Sequence, residues 1–359
     1  MSGTWGSRLR LSIFGESHGE AIGMVVDGLP PGMAVDTALI EEDMARRAPG
    51  QSWMSTPRRE PDKVRIVSGV YNGRTTGTPI CGVIENTNVR SSDYSRFADI
   101  ARPGHADYTG FVRYKGYNDT RGGGHFSGRL TAPVVFAGAL ARMYLLDKGV
   151  TVGARIARLG GVDDVPVETI GKELLQKLRK SAFPTCDEAR AEAMQERILM
   201  AQAEADSVGG FIECMATGLP PGWGDPFFDS LESRIAMLLF SVPAVKGVEF
   251  GAGFAIADMR GSEANDAFIV QDGDIVTRSN NNGGILGGIS SGMPIVVRVA
   301  IKPTPSIGKK QKTVNMREKS ETEIEIAGRH DPCILPRAVP VIEAAVLIAL
   351  ADAALESEG

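Results

Sequence analysis

The pentapeptide Gly28-Leu29-Pro30-Pro31-Gly32 returns later in the chain as Gly218-Leu219-Pro220-Pro221-Gly222. Each copy follows an apolar, strand-like run and precedes an acid-started helical stretch that leads to another strand. In a chain with 43 Gly and 20 Pro the echo has a bland reading, coincidence. Read as duplication, it says that two similar α+β halves pack together, helices inward and sheets outward, around one continuous core. The expected fold class is then α+β, with residues 1–359 forming a single domain.

Composition narrows the function. The 359 residues, 43% hydrophobic and 6% aromatic, exclude disorder and a collagen repeat. Thirty-nine Lys and Arg against 44 Asp and Glu give a formal charge of -5, so no overall positive field exists to hold nucleic acid or an anionic membrane. Cys81, Cys186, Cys214 and Cys333 are far apart and form no Cys-x-x-Cys pair, which argues for a reducing compartment and against a zinc site or disulfide framework. Residues 1–10 lack the basic and apolar segments of a secretory signal. The longest apolar run, 341–355, is broken by Glu343 and Asp352 and falls short of the ~20 residues a membrane span needs. A cytoplasmic protein with a buried C-terminal helix is expected.

Runs rich in β-branched residues predict strands over 9–14, 22–26, 64–70, 79–84, 150–156, 211–214, 245–250 and 294–301. Helical periodicity predicts helices over 37–47, 132–148, 168–180, 188–206, 229–240 and 338–355.

All four histidines, His18, His105, His125 and His330, stand among Gly, Pro and charged or hydroxyl residues, where a proton-exchanging imidazole is well placed. Gly15-Glu16-Ser17-His18-Gly19 literally satisfies the Gly-x-Ser-x-Gly elbow of serine hydrolases, so a hydrolase using Ser17 is one reading. An elbow must turn straight into a helix, however, and 20–27 reads as another strand. The other reading has Ser17 and His18 supplying a hydroxyl and a proton beside closely approaching backbone. Arg121-Gly122-Gly123-Gly124-His125-Phe126-Ser127-Gly128-Arg129, just before a helix, makes either an anion cradle or a tight turn with solvated arginines. The glycine-rich run 279–292 lacks both the Gly-Lys-Ser/Thr ending of a P-loop and the helix context of a Rossmann fingerprint. Basic clusters at 46–47 and 58–63 suit a small polyanion, since guanidinium groups pair with carboxylates and phosphates. A non-catalytic anion-binding module is the third reading, and no metal site is expected.

These segments together resemble the chorismate synthase family. The collinear blocks are Gly-Glu-Ser-His-Gly at 15–19, Arg-Arg-Glu-Pro-Asp at 58–62 and Arg-Pro-Gly-His-Ala-Asp-Tyr at 102–108. Ala-Val-Lys-Gly-Val-Glu at 244–249, Gly-Gly-Ile-Leu-Gly-Gly-Ile-Ser-Ser-Gly at 283–292 and Gly-Arg-His-Asp-Pro-Cys at 328–333 follow in order. The resemblance implies a β-α-β sandwich with helices between two antiparallel sheets, and a homotetramer. It implies conversion of 5-enolpyruvylshikimate 3-phosphate to chorismate by 1,4-anti elimination of phosphate, requiring reduced FMN although nothing is oxidised overall.

Residue roles are implied in the same way. His18 matches the histidine that protonates the departing phosphate, His105 the one beside flavin N1 and the C2 oxygen, and Asp331 the carboxylate that helps deprotonate flavin N5. Ser17 and Ser127 match supporting hydroxyls. FMN contacts map to His125, Phe126, Ser127, Pro243, Ala244, Gly287, Lys302, Pro303, Thr304, Pro305, Ser306 and Arg329, and substrate or NADP contacts to Arg47, Arg102 and Arg129. This chain departs from many relatives in having His125-Phe126 where they carry Arg-Ser, and Trp53 where a second arginine stands. The Trp53 difference bears on NADPH as the flavin reductant.

Overall fold

In the computed structural model, residues 3–50, 62–87, 99–167, 169–326 and 331–358 are described. Two five-stranded sheets, antiparallel throughout, carry the architecture. The first contains β1 (Thr4–Trp5), β2 (Arg10–Gly15), β3 (Ala21–Asp27), β4 (Val64–Ser68) and β5 (Ile80–Glu85), in the order β1-β2-β3-β5-β4. The second contains β6 (Thr151–Leu159), β7 (Val162–Asp163), β8 (Gly210–Thr217), β9 (Val245–Phe250) and β10 (Ile295–Ile301), in the order β9-β10-β8-β6-β7. Side chains alternate across a strand, so Ile295, Val297, Val299 and Ile301 of β10 all face the core, as Ile22, Met24 and Val26 of β3 do.

The helices are α1 (Thr37–Arg47), α2 (Asp107–Arg113), α3 (Thr131–Leu146), α4 (Lys172–Lys180), α5 (Glu188–Ala203), α6 (Leu231–Ser241) and α7 (Leu335–Ser357). Asp36, Asp187 and Ser230 cap α1, α5 and α6, each accepting from a first-turn N–H. Helices α3 and α7 are apolar nearly all round and therefore sit inside. They cross where a Cβ on Gly138 would lie 2.3 Å from Ala344 Cβ, so glycine sets the spacing there. The Phe136 ring of α3 lies against Gly82 of β5, and α7 reaches the second sheet where Ala154 N–H of β6 donates to Glu343 at 3.1 Å.

By length and hydropathy, 128–146 and Leu335–Ser357 could each cross a membrane, and α7 is longer than its interrupted apolar pattern suggested. Both are buried inside the fold instead. Their charges pair internally. Glu343 accepts from Arg46 at 2.6 and 2.8 Å and from Arg142 at 2.9 Å, while Asp43 accepts from Arg142 at 2.9 Å. Burial alone would push both carboxyls up, but the surrounding guanidinium charges hold them below the usual carboxylate range. Asp352 takes the N–H groups of Arg8 and Leu9 at 2.8 and 2.7 Å, tying α7 to the start of the first sheet.

The two Gly-Leu-Pro-Pro-Gly segments leave the central strand of each sheet and carry the same bonds. Thr75 Oγ1 donates to Pro30 O at 2.6 Å and accepts from Met33 N–H at 3.0 Å. Ser290 Oγ donates to Pro220 O at 2.7 Å and accepts from Trp223 N–H at 2.9 Å. Gly32 N–H donates to Thr75 O at 2.8 Å and Gly222 N–H to Ser290 O at 2.9 Å.

The predicted elements are present with shifted ends. The helix expected over 168–180 begins at Lys172, after Gly171. The helix expected from 229 starts as a single tight turn, Phe227–Asp229, because Ser230 is the cap of α6. Exposed hairpins at Phe268–Gln271 with Asp274–Thr277, and Gln311–Asn315 with Ser320–Ile324, were not expected, nor was the short α2. Strands of four or five residues are too short to carry a periodic signal, whether apolar as in 268–271 or polar as in 320–324.

Candidate active site

Three glycines in the left-handed region, Gly122, Gly123 and Gly124, fold 121–126 into a tight turn that lies across the β2–β3 hairpin. The hairpin turn holds Ser17 and His18, both buried. Ser17 N–H donates to Gly124 O at 3.2 Å, and His125 Nδ1 lies 2.9 Å from Gly15 O. Ser17 Oγ lies 3.1 Å from His18 Nδ1 and 3.3 and 3.2 Å from the carbonyls of Arg121 and Gly122. Only glycine fits at 122, since a Cβ there would lie 2.0 Å from His18 Cε1. Ser17 sits between two antiparallel strands, so the strand-to-helix display that a hydrolase elbow requires is not formed.

From this turn, contacts run in two directions. On one side, Arg102 Nη2 lies 3.8 Å from where a Gly123 Cβ would be. Arg102 is held by Asp107 through a two-point pair at 2.7 and 2.8 Å. Burial would raise the Asp107 carboxyl, but this pair, with charge on His105, keeps it low. His105 Nε2 lies 2.7 Å from Ser306 Oγ, and Lys302 Nζ donates to Gly104 O at 2.6 Å. Pro305 packs against Gly104, and Lys302 N–H donates to Ala244 O at 3.0 Å, which brings Pro243 and Ala244 beside this segment. Burial, and then the nearby charge of Lys246, pull the Lys302 ammonium below its ordinary value. Thr304 Oγ1 is buried and finds no hydrogen-bond partner among the described residues.

On the other side, Asn86 Nδ2 donates to Glu16 O and Gly19 O at 3.0 and 2.9 Å, and Asn86 Oδ1 accepts from Arg129 Nε at 3.1 Å. Asp62 pairs with Arg129 through one oxygen and with Arg47 through the other, the latter at 2.6 Å. Arg47 also donates to Thr131 Oγ1 at 3.1 Å and Gly128 O at 2.9 Å. Burial, helped by the charges of Arg337 and Arg129, brings its guanidinium down to about 10 against the pull of Asp62. Arg337 then links the Arg47 carbonyl, at 3.2 Å, to Asp331 Oδ2, at 2.7 Å.

His18 thus lies under the glycine turn, with Arg102 and His105 to one side of it, while Asp331 is joined to the other side through Arg337, Arg47, Asp62, Arg129 and Asn86. Ser127 accepts from Arg129 N–H at 3.3 Å at the turn into α3, and the half-exposed Phe126 packs against Tyr114, ring centroids 6.0 Å apart. Gly287 lies at the turn of the hairpin Ile285–Leu286 with Ile289–Ser290, whose Gly288 packs on 225–231, while the space where a Gly287 Cβ would be is open. Trp53, Arg329 and His330 lie outside the described residues. Asn86, Asp62 and Arg337 escaped the sequence reading. Asp62 closes a basic block that was noticed only for its arginines, and Asn86 and Arg337 carry no motif at all.

A buried imidazole, carboxylates paired with arginines and a lysine nearby make a set of groups suited to acid–base chemistry on an anion. Comparisons with known proteins agree. The chorismate synthase family model matches residues 9–355. The chorismate synthase of Dehalococcoides mccartyi is 49% identical over 99% of this chain and 98% of its own length. That of Pyrococcus abyssi is 48% identical over 97% of this chain and 96% of its own. A crystal structure of chorismate synthase superposes with a TM-score of 0.79 at 29% identity, covering 99% of this chain and 94% of that one. The chain belongs to the chorismate synthase family, whose members are lyases.

Proposed function

We propose that the chain converts 5-enolpyruvylshikimate 3-phosphate to chorismate and phosphate by 1,4-anti elimination, with reduced FMN. The observation that carries this reading is the buried Ser17–His18 pair, 3.1 Å apart under the 122–124 glycine turn, with the Arg102–Asp107 pair near that turn. Bound reduced FMN supplies an electron-rich ring system that assists loss of phosphate and takes up the ring hydrogen, without net oxidation. The residues fit such a group. Thr304 Oγ1 is a buried hydroxyl lacking a partner among the described residues, and Lys302 with Lys246 offers positive charge for a phosphate.

His18 protonates the departing phosphate. The Arg121 and Gly122 carbonyls can only accept, so the Ser17 hydroxyl donates to them and accepts from His18 Nδ1–H. That leaves Nε2 as the nitrogen that exchanges the proton. His105, oriented by Ser306, would help hold the flavin, and Asp331, paired with Arg337, would be the carboxylate that accepts a proton there. Arg102 and Arg129, though also paired with Asp107 and Asp62, attract the anionic substrate, while the fully buried Arg47 braces Asp62 and Gly128. Gly287 and Arg329 complete the proposed cofactor contacts, and NADPH is the proposed reductant.

The same reading includes a single domain, a β-α-β sandwich and an internal pseudo-repeat. Its support is the matching hydroxyl brackets at Thr75 and Ser290 and the shared strand order β2-β3-β5-β4 and β6-β8-β10-β9. It also includes a homotetramer, as the family resemblance implies, and the cytoplasmic location expected from the scattered cysteines. The test is spectral. Anaerobic mixing of the protein, reduced FMN and the phosphorylated substrate perturbs the flavin absorbance on this account; an unperturbed spectrum at saturating substrate contradicts it.

A further inference from the structure

Asn86 comes immediately after β5, and folding sets it against the turn that carries Ser17 and His18. Its backbone N–H donates to Glu20 O at 3.0 Å, one step beyond the Ala21–Glu85 pair of β3 and β5, so sheet pairing fixes where the side chain starts. The amide nitrogen Nδ2 donates to Glu16 O at 3.0 Å and to Gly19 O at 2.9 Å. These two carbonyls flank the Ser17-His18 dipeptide, one on each side. Asn86 Oδ1 accepts from Arg129 Nε at 3.1 Å.

The chemistry of the partners leaves one arrangement. Peptide carbonyls only accept and a guanidinium only donates, so the amide turns its nitrogen to the His18 turn and its oxygen to Arg129. An ionised aspartate in this place would set an oxygen against two carbonyls, and a protonated one could serve only one of them. The glycine turn holds the same dipeptide at another point, where Ser17 N–H donates to Gly124 O at 3.2 Å. Asn86 thus fixes the two ends of the 16–19 turn, and the glycine turn fixes its middle.

We propose that Asn86 is a positioning residue for the reaction: its amide ties the His18 turn to Arg129, keeping the proton-donating imidazole and the anion-attracting guanidinium at a fixed spacing. The proposal rests on the reading of His18 as the acid that protonates the departing phosphate. Misplacing a reacting group by about 1 Å costs on the order of a hundredfold in rate, so a clamp on the backbone beside His18 bears directly on turnover.

The experiment compares Asn86→Asp and Asn86→Ala with wild type in the full chain. Asn86→Asp keeps the acceptor for Arg129 and removes the donors to Glu16 and Gly19. It is expected to lower kcat by about tenfold to a hundredfold while the substrate KM stays within about threefold, because the acid moves and the guanidinium does not. Asn86→Ala, lacking donors and acceptor alike, loses at least as much kcat. In ¹⁵N spectra of the flavin-free chain, with His18 assigned through His18→Ala, both variants are expected to show the ring leaving its single Nδ1–H form.

Wild-type kcat and an unchanged His18 spectrum in either variant, with only thermal stability lost, would make the amide merely structural and overturn the proposal. A raised KM at wild-type kcat would overturn it too, by making Asn86 a binding group. If Asn86→Ala does not fold, Asn86→Asp, of nearly the same shape, carries the test, and failure of both to fold would also overturn the proposal. His18→Ala with undiminished phosphate release would instead remove the reading beneath it, while the flavin-free spectra still decide whether Asn86 holds the ring.

Discussion

Ser17 Oγ lies 3.1 Å from His18 Nδ1, and the two peptide carbonyls beside the hydroxyl fix which of the pair donates. The serine is a hydrogen-bond acceptor for the ring. Ser17→Ala therefore removes the group that selects the Nδ1–H form. Turnover is expected to drop about tenfold to a hundredfold, in the range of a weakened acid. ¹⁵N spectra of His18 should show mixed tautomers in the variant, and a single unchanged tautomer would refute the assignment.

Removal of the imidazole itself is more severe. His18→Ala is expected to lower kcat by roughly 10²–10⁴, the span for losing a positioned acid, with reduced-flavin binding nearly intact. Unchanged phosphate release in single-turnover experiments would take His18 out of the mechanism.

Gly122 supports the same ring through space. At φ +60, with a Cβ that would meet His18 Cε1 at 2.0 Å, alanine must displace either the turn or the imidazole. We expect Gly122→Ala to cost about 1–2 kcal/mol in stability from left-handed strain and to lower kcat by about a hundredfold. Denaturant unfolding and steady-state kinetics measure the two effects separately. Wild-type kcat in a stably folded variant would show that the ring tolerates movement.

How much of this was legible in the sequence depends on what kind of information each part carries. The β-branched run of β10 alternates buried and half-buried residues, and β3, buried on three successive residues, is less regular, yet the apolar run of each marks a strand. The echo at 28–32 and 218–222 pointed to matching brackets, yet nothing in sequence named Thr75 or Ser290 as the hydroxyls that close them. His18 and His105 stood out by residue type and glycine-rich setting. Asn86 and Arg337 did not, because their importance comes from what folding places opposite them. Gly288 shows the converse, a residue of a glycine-rich motif whose contacts in the folded chain run to Asp225 and Ser230.

Asp62 is buried between two guanidinium groups, so its loss should be felt mainly as stability. Asp62→Asn leaves Arg47 and Arg129 without their shared counter-charge, and about 3–5 kcal/mol is expected, as for removing one partner of a buried ion pair. Chemical denaturation measures it, and a loss below 1 kcal/mol would mean that the arginines find another partner.

Acid stability reports on the interior pairs. The ordinary values of Glu343 and Asp43 are 4.5 and 3.8, and arginine charge holds both lower in the folded chain. Their stabilising contribution is thus complete above about pH 5 and is lost as pH falls through the depressed folded values. Glu343→Gln should flatten the fall of Tm below that pH while lowering Tm at neutrality. An acid limb as steep as wild type would place the proton uptake elsewhere.

The central claim is that one site joins His18, His105 and Asp331 to eliminate phosphate with the help of reduced flavin. Its most direct measurement is anaerobic: phosphate and chorismate released from 5-enolpyruvylshikimate 3-phosphate with photoreduced FMN and with oxidised FMN, side by side. The account predicts equal amounts of both products with reduced FMN over many turnovers and none with oxidised FMN. Phosphate release that ignores the flavin's redox state, or release without chorismate, would contradict it.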